Sequence, residues 1–424
     1  MFKQIDRCRI CGNKNLISII NLGNQALTGV FPDQKNQTIT IGPLELVKCS
    51  SKDDSEICGL IQLKHSFDHN EMYGDNYGYH SSLNKSMVKH LHSKVKKLQE
   101  IVPLAPGDII LDIGSNDSTL LKGYTKEGLS LVGIDPTGIK FKHYYPPHIK
   151  LIPDFFSAAS FRAAFKDKKA KIITSISMYY DLERPMDFMK EIHEILDDNG
   201  VWVLEQSYMP TMLERSSYDT ICHEHLEYYA LKQIKWMADR VGFEIIDVEF
   251  NDVNGGSFSV MIGKKNSSYK VNTKGINDTL EAERNLKFDT DTPFELFRTK
   301  VDKSKKNLLD FLAKAKSENK TVMGYGASTK GNVILQYCGI TEKDISCIAE
   351  INEDKFNKFT PGTGIPIVSE KEAKTKKPDY LLVLPWHFHD GIIERERTYI
   401  EGGGTLVFPL PELEIVNVHN YVYS

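Results

Sequence analysis

The sequence is short of cysteine, of excess charge and of long hydrophobic runs, and each shortage excludes a class of protein. No run approaches the ~18 apolar residues that a membrane-spanning helix needs, and the N-terminus lacks the apolar region of a secretion signal. A formal net charge of -4 provides no basic field that would bind nucleic acid or anionic lipid. Seven cysteines in 424 residues do not make a disulfide framework. We therefore expect a cytoplasmic globular protein without a membrane or nucleic-acid partner, whose thiols are free or bind metal.

Four of the cysteines form two pairs near the N-terminus. Cys8 and Cys11 have the two-residue spacing of a zinc knuckle, whereas Cys49 and Cys58 form a wider pair. Four thiolates suit tetrahedral zinc, which stabilises segments too small for a large hydrophobic core. The pattern predicts structural Zn2+ in a module covering residues 1–70, with buried unpaired thiols as the alternative.

From residue 107 onward, apolar runs alternate with helix-prone stretches. The runs "DIILDIG", "LSLVGID", "IKLIPDFF", "AKIITSIS" and "GVWVLEQS" have the spacing of strands joined by helices. The later pair "FEIIDVEF" and "GSFSVMIG" is typical of an antiparallel hairpin. Five βα units and a closing hairpin predict an α/β fold with the seven-stranded sheet of a class I methyltransferase over residues 71–265. A helical connector and a C-terminal Rossmann-like α/β domain are predicted over residues 266–424.

The turn "IGSND" after the first of these strands has the character of a nucleotide pocket. Gly114 lets the backbone approach a ligand, and Asp135 ends the next strand, where an acidic side chain accepts hydrogen bonds from ribose hydroxyls. The turn lacks the G-x-G-x-x-G spacing of NAD sites, which favours S-adenosylmethionine; a tight turn with a capping Asp is the alternative. Cofactor contacts are expected here and at the ends of the next three strands: Gly114, Ser115, Asn116, Asp117, Asp135, Asp154, Phe155, Phe156, Ser177 and Met178.

The stretch "CHEH" after the fifth strand concentrates groups that could bind metal or move protons. In an extended conformation His223 and His225 would share a face while Glu224 pointed the other way, which leaves few metal ligands in line. A histidine with a pKa near ~6.5 suits general base chemistry, and a neighbouring carboxylate can orient it. The pattern favours an acid/base site; a metal site and a hydrogen-bonded turn remain open.

Two further segments suggest an acceptor site. The segment "YGDNYGYHSS" includes Tyr77, Tyr79 and His80, a composition suited to polyhydroxyl ligands. A surface linker is the alternative interpretation of this segment. The segment "GYGASTKGN" repeats the strand–turn–helix pattern and adds Lys330, which fits diphosphate binding by backbone N–H groups and one ammonium. Two nucleotide-like pockets would serve a cofactor and a nucleotide-bearing substrate.

Taken in order, these motifs resemble those of the nucleotide-sugar C-methyltransferases that branch deoxysugars in bacteria. The matching segments span the chain: "CRICG", "YGYHSS", "IGSND", "DFF", "EHLEYY", "GGS", "GYGASTKG", "CGI", "PGTGIPI" and "PW". The resemblance implies a zinc module, an S-adenosylmethionine fold and a C-terminal domain that helps to hold a nucleotide-diphosphate keto-sugar.

The resemblance also implies roles for individual residues. His225 matches the family's base, Glu224 its neighbouring carboxylate, and Tyr77 or Tyr79 a tyrosine near the reacting sugar. Further substrate contacts are expected at His80, Asp181, Cys222, Asn254, Lys330, Asn332 and Trp386.

The chain departs from the family pattern at several of these positions. Cys222 stands where Tyr is common, Asp181 where His can occur, and Asn254 where His often precedes "GGS". We therefore expect the sugar or the methylated carbon to differ from that of its relatives. An NAD-dependent nucleotide-sugar oxidoreductase and a noncatalytic nucleotide-sugar-binding protein are the alternative functions.

Overall fold

The computed structural model describes residues 2–51, 56–72 and 80–420, which form an N-terminal module and two α/β domains. Within these ranges no helix combines the length and apolar character needed to span a membrane.

The N-terminal module is an antiparallel structure with a small core. Strands β2, β3 and β4 pair as a meander, and β1 pairs with β5. Leu44, Leu46 and Val47 of β3 are buried in this core, whereas Ile41 at the start of the strand is exposed. The elements are β1 (Phe2–Gln4), β2 (Leu16–Ala26), β3 (Ile41–Cys49), β4 (Ile61–Leu63), β5 (His65–Phe67) and α1 (His69–Met72).

The central domain contains the predicted seven-stranded sheet. Its elements are α2 (Lys85–Ile101), β6 (Ile109–Ile113), β7 (Ser130–Ile134), α3 (Gly138–Phe141), β8 (Ile149–Ile152), α4 (Ala158–Phe165), β9 (Ala170–Ile176), α5 (Pro185–Ile195), β10 (Leu196–Ser207), α6 (Met209–Glu214), β11 (Glu227–Tyr228), α7 (Leu231–Val241), β12 (Phe243–Asn251), β13 (Ser257–Lys264) and α8 (Thr273–Asn285). The strand order is β12-β13-β10-β9-β6-β7-β8, and only β13 runs antiparallel to its neighbours. All five residues of β6 are buried, as expected for a parallel strand covered on both faces. The class I methyltransferase sheet is confirmed.

The position of the first strand determines where this domain can bind a ligand. Strand β6 lies between β7 and β9, so consecutive crossovers leave it in opposite directions. Such a switch point opens a crevice at the carboxyl ends of the strands.

The C-terminal domain has the strand order of a dinucleotide-binding fold. Its elements are α9 (Thr292–Ser317), β14 (Val322–Tyr325), α10 (Thr329–Cys338), β15 (Ile348–Glu350), β16 (Ile367–Ser369), α11 (Glu370–Thr375), β17 (Tyr380–Val383), α12 (His389–Arg395), α13 (Arg397–Glu401), β18 (Thr405–Phe408) and β19 (Glu414–Val416). The order β16-β15-β14-β17-β18-β19 places its first strand at a second switch point, and β19 is antiparallel. The Rossmann-like prediction is confirmed.

A segment of the central domain joins the three parts. Strand β11 leaves the central domain and pairs with β4 at the edge of the N-terminal sheet, where Glu227 lies opposite Gln62. On the other side of that sheet, the Gln336 side chain of α10 accepts from the Ala26 N–H at 2.7 Å and donates to its carbonyl at 3.1 Å. The residues between β10 and α7 therefore lie close to all three parts.

Candidate functional site

A cavity of about 280 Å³ opens at the carboxyl ends of β6, β7 and β9; we call it the sheet-edge cavity. Eight of the ten residues expected to contact a cofactor line it: Gly114, Ser115, Asn116, Asp135, Phe155, Phe156, Ser177 and Met178. The structure thus gathers side chains from four separate loops around one space.

The glycine turn, residues 114–118, adopts the tight conformation that the sequence suggests. Gly114 has φ +72°, and a Cβ there would lie 3.2 Å from Met178. Asp135 fixes the turn, because its Oδ2 accepts from the Asn116 N–H at 2.7 Å. Its Oδ1 accepts from the N–H and hydroxyl of Thr137. Asp135 therefore shapes the cavity wall as well as facing the cavity.

The two remaining acidic residues lie elsewhere. Asp117 is fully buried, and its carboxylate accepts from the Ser82 N–H at 2.9 Å and from the hydroxyl of Thr119 at 2.6 Å. It ties the segment after residue 80 to the glycine turn. Asp154 accepts from the N–H of Phe155 at 2.7 Å, at an exposed position outside the cavity lining.

Sequence reasoning missed one acidic residue of the cavity wall. Asp112 lies in β6, lines the cavity and accepts from the Thr174 hydroxyl at 2.6 Å. Burial raises the pKa of Asp112 to about 7. A carboxylate within the apolar run "IILDI" was the available signal, since buried charges rarely occur without a role.

The central turn, residues 222–225, differs from the extended conformation expected for it. The His225 N–H donates to the Cys222 carbonyl at 3.2 Å, which closes a tight turn. His223 therefore faces the N-terminal module, with its ring edge-on to Phe67 at 4.6 Å and its Nδ1 3.4 Å from the Thr28 hydroxyl. The prediction that the two histidines share a face is wrong, because the turn reverses the alternation of a strand.

His225 lies on the opposite side of this turn. Its ring packs on Tyr180 with centroids 4.3 Å apart, and its Nδ1 lies 2.9 Å from the Thr220 carbonyl. A carbonyl can only accept, so Nδ1 carries the hydrogen and Nε2 presents a lone pair. Burial, aided by the positive charge of Lys330, lowers the pKa of His225 to about 3. The imidazole is thus neutral at pH 7, and a backbone carbonyl orients it where a carboxylate was expected.

The side chains of Glu224 and Cys222 in the central turn are also buried. The Glu224 carboxylate lies against Gly29 so closely that a Cβ on this glycine would clash with Oε1. Burial raises the pKa of Glu224 to about 7. Cys222 has no exposed surface, and burial raises the pKa of its thiol. The thiol is therefore enclosed by protein atoms and is not among the residues that line the sheet-edge cavity.

A second polar group connects the C-terminal domain to the sheet-edge cavity. The Lys330 ammonium donates to the Asn254 carbonyl at 2.9 Å, and the Asn254 amide donates to the Ser177 hydroxyl at 3.4 Å. Asn254 and Ser177 both have left-handed backbones, with φ of 56° and 54°. The indole of Trp386 donates to the Asp219 carboxylate at 2.7 Å. Non-glycine residues with a left-handed backbone often occur at functional sites, so this polar group is a candidate part of the site.

The remaining predicted substrate contacts occupy varied positions. Asn332 is buried and donates to the Thr28 carbonyl at 2.8 Å, so it joins two domains. His80 packs on Phe141 with centroids 4.4 Å apart. Asp181 lines the sheet-edge cavity. Tyr77 and Tyr79 lie outside the described residues.

The four N-terminal cysteines form a compact cluster. Their sulfur atoms all lie within 4.8 Å of one another, with 3.4 Å between Cys8 and Cys58 and 3.5 Å between Cys11 and Cys49. A tetrahedron with Zn–S bonds of ~2.3 Å has edges of roughly 3.8 Å, so these distances fit zinc. Gly12, with φ +72°, makes the turn after the first pair. In the part of the chain that the structure describes, no other group of three or more His, Cys or acidic residues has this proximity.

Comparison with known proteins agrees with this architecture. Three family models match in order: "Putative zinc binding domain" over residues 8–73, "Methyltransferase domain" over 87–248 and "C-methyltransferase C-terminal domain" over 252–411. The chain is 26% identical to the C-methyltransferase NovU of Streptomyces niveus over 421 residues, which cover 99% of this chain and 98% of that protein.

Two solved structures each match less than half of the chain. The plantazolicin methyltransferase BpumL in complex with SAH and a pentazolic analogue matches 42% of this chain and 84% of its own, at 13% identity and a TM-score of 0.33. The LepI complex with SAM matches 44% of this chain and 54% of its own, at 12% identity and a TM-score of 0.34. The three family models and the full-length relative together support the assignment of the chain to an S-adenosylmethionine-dependent C-methyltransferase family.

Proposed function

We propose that the chain methylates a ring carbon next to a ketone on a nucleotide-linked keto-deoxysugar. The observation that carries this proposal is the state of His225. Its Nδ1–H is held by the Thr220 carbonyl, and its pKa is lowered, so it is a neutral imidazole. Carbon is a poor nucleophile until a base removes a proton, and the Nε2 lone pair of this oriented neutral imidazole is available to accept it.

The sheet-edge cavity is the proposed cofactor site. Asp135 would accept from the ribose hydroxyls, Gly114 would let the backbone approach, and Phe155 and Phe156 would flank the adenine ring. S-adenosylmethionine, when bound there, supplies an electrophilic methyl group. Ser177, in the same wall, connects this cavity to Asn254 and Lys330.

The proposed reaction assigns the proton to His225. Its Nε2 accepts the proton from the carbon beside the ketone, and the C–H electron pair forms the C=C bond of an enolate while the carbonyl π pair moves onto oxygen. That carbon then forms a bond to the methyl group, the S–CH3 electron pair stays on sulfur, and the ketone re-forms. The imidazolium finally releases its proton to solvent.

The keto-sugar acceptor rests on two kinds of support. The motifs named above follow those of nucleotide-sugar C-methyltransferases from one end of the chain to the other. The polar group formed by Asp219, Asn254, Lys330 and Trp386 lies beside the central turn and offers hydrogen-bonding groups that suit a polyhydroxyl substrate.

The dinucleotide-binding alternative has less support. The Glu350 carboxylate at the end of β15 accepts from the Ala327 N–H of the C-terminal glycine turn and from the N–H groups of Ile351 and Asn352, so its position corresponds to that of Asp135 in the central domain. The N-terminal module packs onto the same turn, since Lys355 beside it lies over the Phe31 ring at 4.6 Å and Asn332 donates to Thr28.

Product analysis tests the proposal directly. The protein is incubated with S-adenosylmethionine and a panel of nucleoside-diphosphate 4-keto-6-deoxyhexoses, and the products are examined by mass spectrometry and NMR. We expect one added methyl on a ring carbon. Methylation of oxygen, or tight NADH binding without S-adenosylhomocysteine binding, would rule the proposal out.

A further inference from the structure

Lys330 has surroundings that a diphosphate anchor would not have. It lies in the first turn of α10, but the Ser328 side chain caps this helix by accepting from the Gly331 N–H at 3.0 Å. Thr28 of the N-terminal module packs beside the same turn and accepts from Asn332. The ammonium instead points to the Asn254 carbonyl, 2.9 Å away.

Lys330 is connected both to the cofactor cavity and to the base of the proposed reaction. Through Asn254, its hydrogen bonds continue to Ser177 in the wall of the sheet-edge cavity. Helix α10 also packs on the 3-10 turn Tyr218–Thr220, where the Tyr218 ring lies 5.3 Å from that of Tyr337. The carbonyl of Thr220 in that turn orients His225. Lys330 is therefore linked to the cavity wall by hydrogen bonds, and its positive charge acts on the base His225.

We propose that the Lys330 ammonium binds the ketone oxygen of the sugar and stabilises the negative charge that develops there when His225 removes the proton. This inference rests on the proposed function. Fixed charges aimed at a developing oxyanion are the largest contribution to catalysis in many enzymes.

Charge balance gives the physical reason. Proton transfer to His225 without a compensating anion would place an imidazolium near an ammonium, which costs free energy at low dielectric. An enolate oxygen between the two makes the charges alternate in sign. The C–H pair becomes the enolate double bond, the carbonyl pair becomes the oxyanion at Lys330, and the ketone re-forms when the C–C bond is made.

Several charged and titratable groups face Lys330 and bear on its pH dependence. Asp219 and Cys222 come from the segment before and within the central turn, and His225 completes that side. His387, which sequence reasoning missed, faces it from the C-terminal domain. Removal of the ammonium should therefore raise the pKa of both imidazoles.

Solvent deuterium exchange measures proton removal separately from methyl transfer. The panel member that the wild type methylates is incubated in deuterated buffer with S-adenosylhomocysteine, and incorporation is followed by mass spectrometry from pH 3 to 9. In Lys330→Met we expect exchange to fall by about 10²- to 10³-fold. The acid limb of the pH profile, where protonation of His225 slows the remaining exchange, should move to higher pH. Lys330→Arg should recover part of the lost exchange rate. Calorimetric binding of S-adenosylhomocysteine checks the fold, and Lys330→Gln replaces the Met variant if that variant is misfolded.

The matched control is Lys355→Met. Burial lowers the pKa of Lys355 as it does that of Lys330, and the Lys355 ammonium donates to the Ala327 carbonyl at 2.7 Å. Its removal should leave the exchange rate and the acid limb unchanged.

Four results would overturn the inference. Wild-type exchange in Lys330→Met, or a raised KM for the sugar with unchanged kcat, would make Lys330 a spectator or a ground-state anchor. A loss of exchange with an unmoved acid limb would give it a structural role only. If the wild type neither exchanges nor methylates any panel member, the proposed function fails and this inference fails with it.

Discussion

Burial determines which side chains of the central turn carry charge at neutral pH. It lowers the pKa of His223 and of His225 to about 3, and raises that of Glu224 to about 7. Two histidines and a carboxyl group thus occur together with little net charge. Only His225 combines a neutral ring with a position beside the polar group of the C-terminal domain.

Replacement of His225 by Asn should separate proton removal from cofactor binding. The Asn amide can still donate toward the Thr220 carbonyl but has no basic nitrogen. We expect deuterium exchange and methyl transfer to fall by about 10²- to 10⁴-fold. S-adenosylhomocysteine affinity, measured by calorimetry, should stay within a factor of two or so. A variant that retains a tenth of the wild-type rate would exclude His225 as the base.

His223 should make the fold sensitive to acid. Its folded pKa of about 3 lies below the ~6.5 of an unfolded chain, so the unfolded state binds the proton first. The stabilisation by the neutral ring is complete above pH ~6.5 and is lost as the pH falls toward the folded pKa. In His223→Gln, the pH dependence of the unfolding free energy between pH 6 and 4 should weaken by up to ~1.4 kcal/mol per pH unit.

Urea unfolding at stepped pH measures this slope. His419→Gln, at an exposed position, is the control and should keep the wild-type slope. Equal slopes in wild type and His223→Gln would contradict the prediction, even if the variant is less stable at every pH.

At the scale of elements, the geometry of the central turn depends on a glycine from another domain. Gly29 follows β2 and leaves the space that the Glu224 carboxylate occupies. In Gly29→Ala, the new Cβ would displace that carboxylate and shift the turn. Because displacements of about 1 Å can cost 10²-fold in rate, we expect kcat to fall by about 10- to 100-fold with S-adenosylhomocysteine binding unchanged.

Gly391→Ala provides the comparison for this variant. Gly391 lies in α12, and a Cβ there would have no neighbouring atom within 4 Å. Its kcat should equal that of the wild type. If Gly29→Ala were equally active, the close approach to Glu224 would not matter for catalysis.

At the scale of the whole molecule, the zinc module is connected to the central turn through a shared sheet. Strand β11 follows the turn directly and is the edge strand of the module's sheet. Arg9, between the two knuckle cysteines, lies 3.8 Å from Glu227 of this strand, and both side chains are nearly inaccessible to solvent. The metal cluster and the turn are thus linked through one sheet and one buried ion pair.

Loss of zinc should therefore reduce catalysis without emptying the cofactor cavity. We expect about one zinc per chain in the purified protein, and Cys49→Ser or a chelator should remove it. Deuterium exchange into the sugar should fall, backbone amides of residues 219–230 should exchange faster by hydrogen-exchange mass spectrometry, and S-adenosylhomocysteine should still bind. Cys347→Ser, a buried cysteine outside the cluster, is the control. If deuterium exchange into the sugar were unchanged in a metal-free protein, the proposed link between the zinc cluster and the central turn would be wrong.

The sequence by itself determined the features that short-range patterns encode. Cysteine spacing predicted the thiol cluster, alternating apolar runs predicted the strands of both sheets, and Gly114 with Asp135 marked the cavity, because strand periodicity and turn chemistry are local properties.

Only the tertiary structure decided which side chains meet across domains. It turned His223 toward Phe67, buried Cys222 and Asn332, and brought Lys330 beside Asn254, contacts that join residues far apart in the chain. The direction of a side chain at a tight turn, and the partner it finds on another domain, depend on long-range packing that no local pattern specifies. The chemistry of the site was thus present in the sequence, but its arrangement was determined by the packing of three domains around one turn.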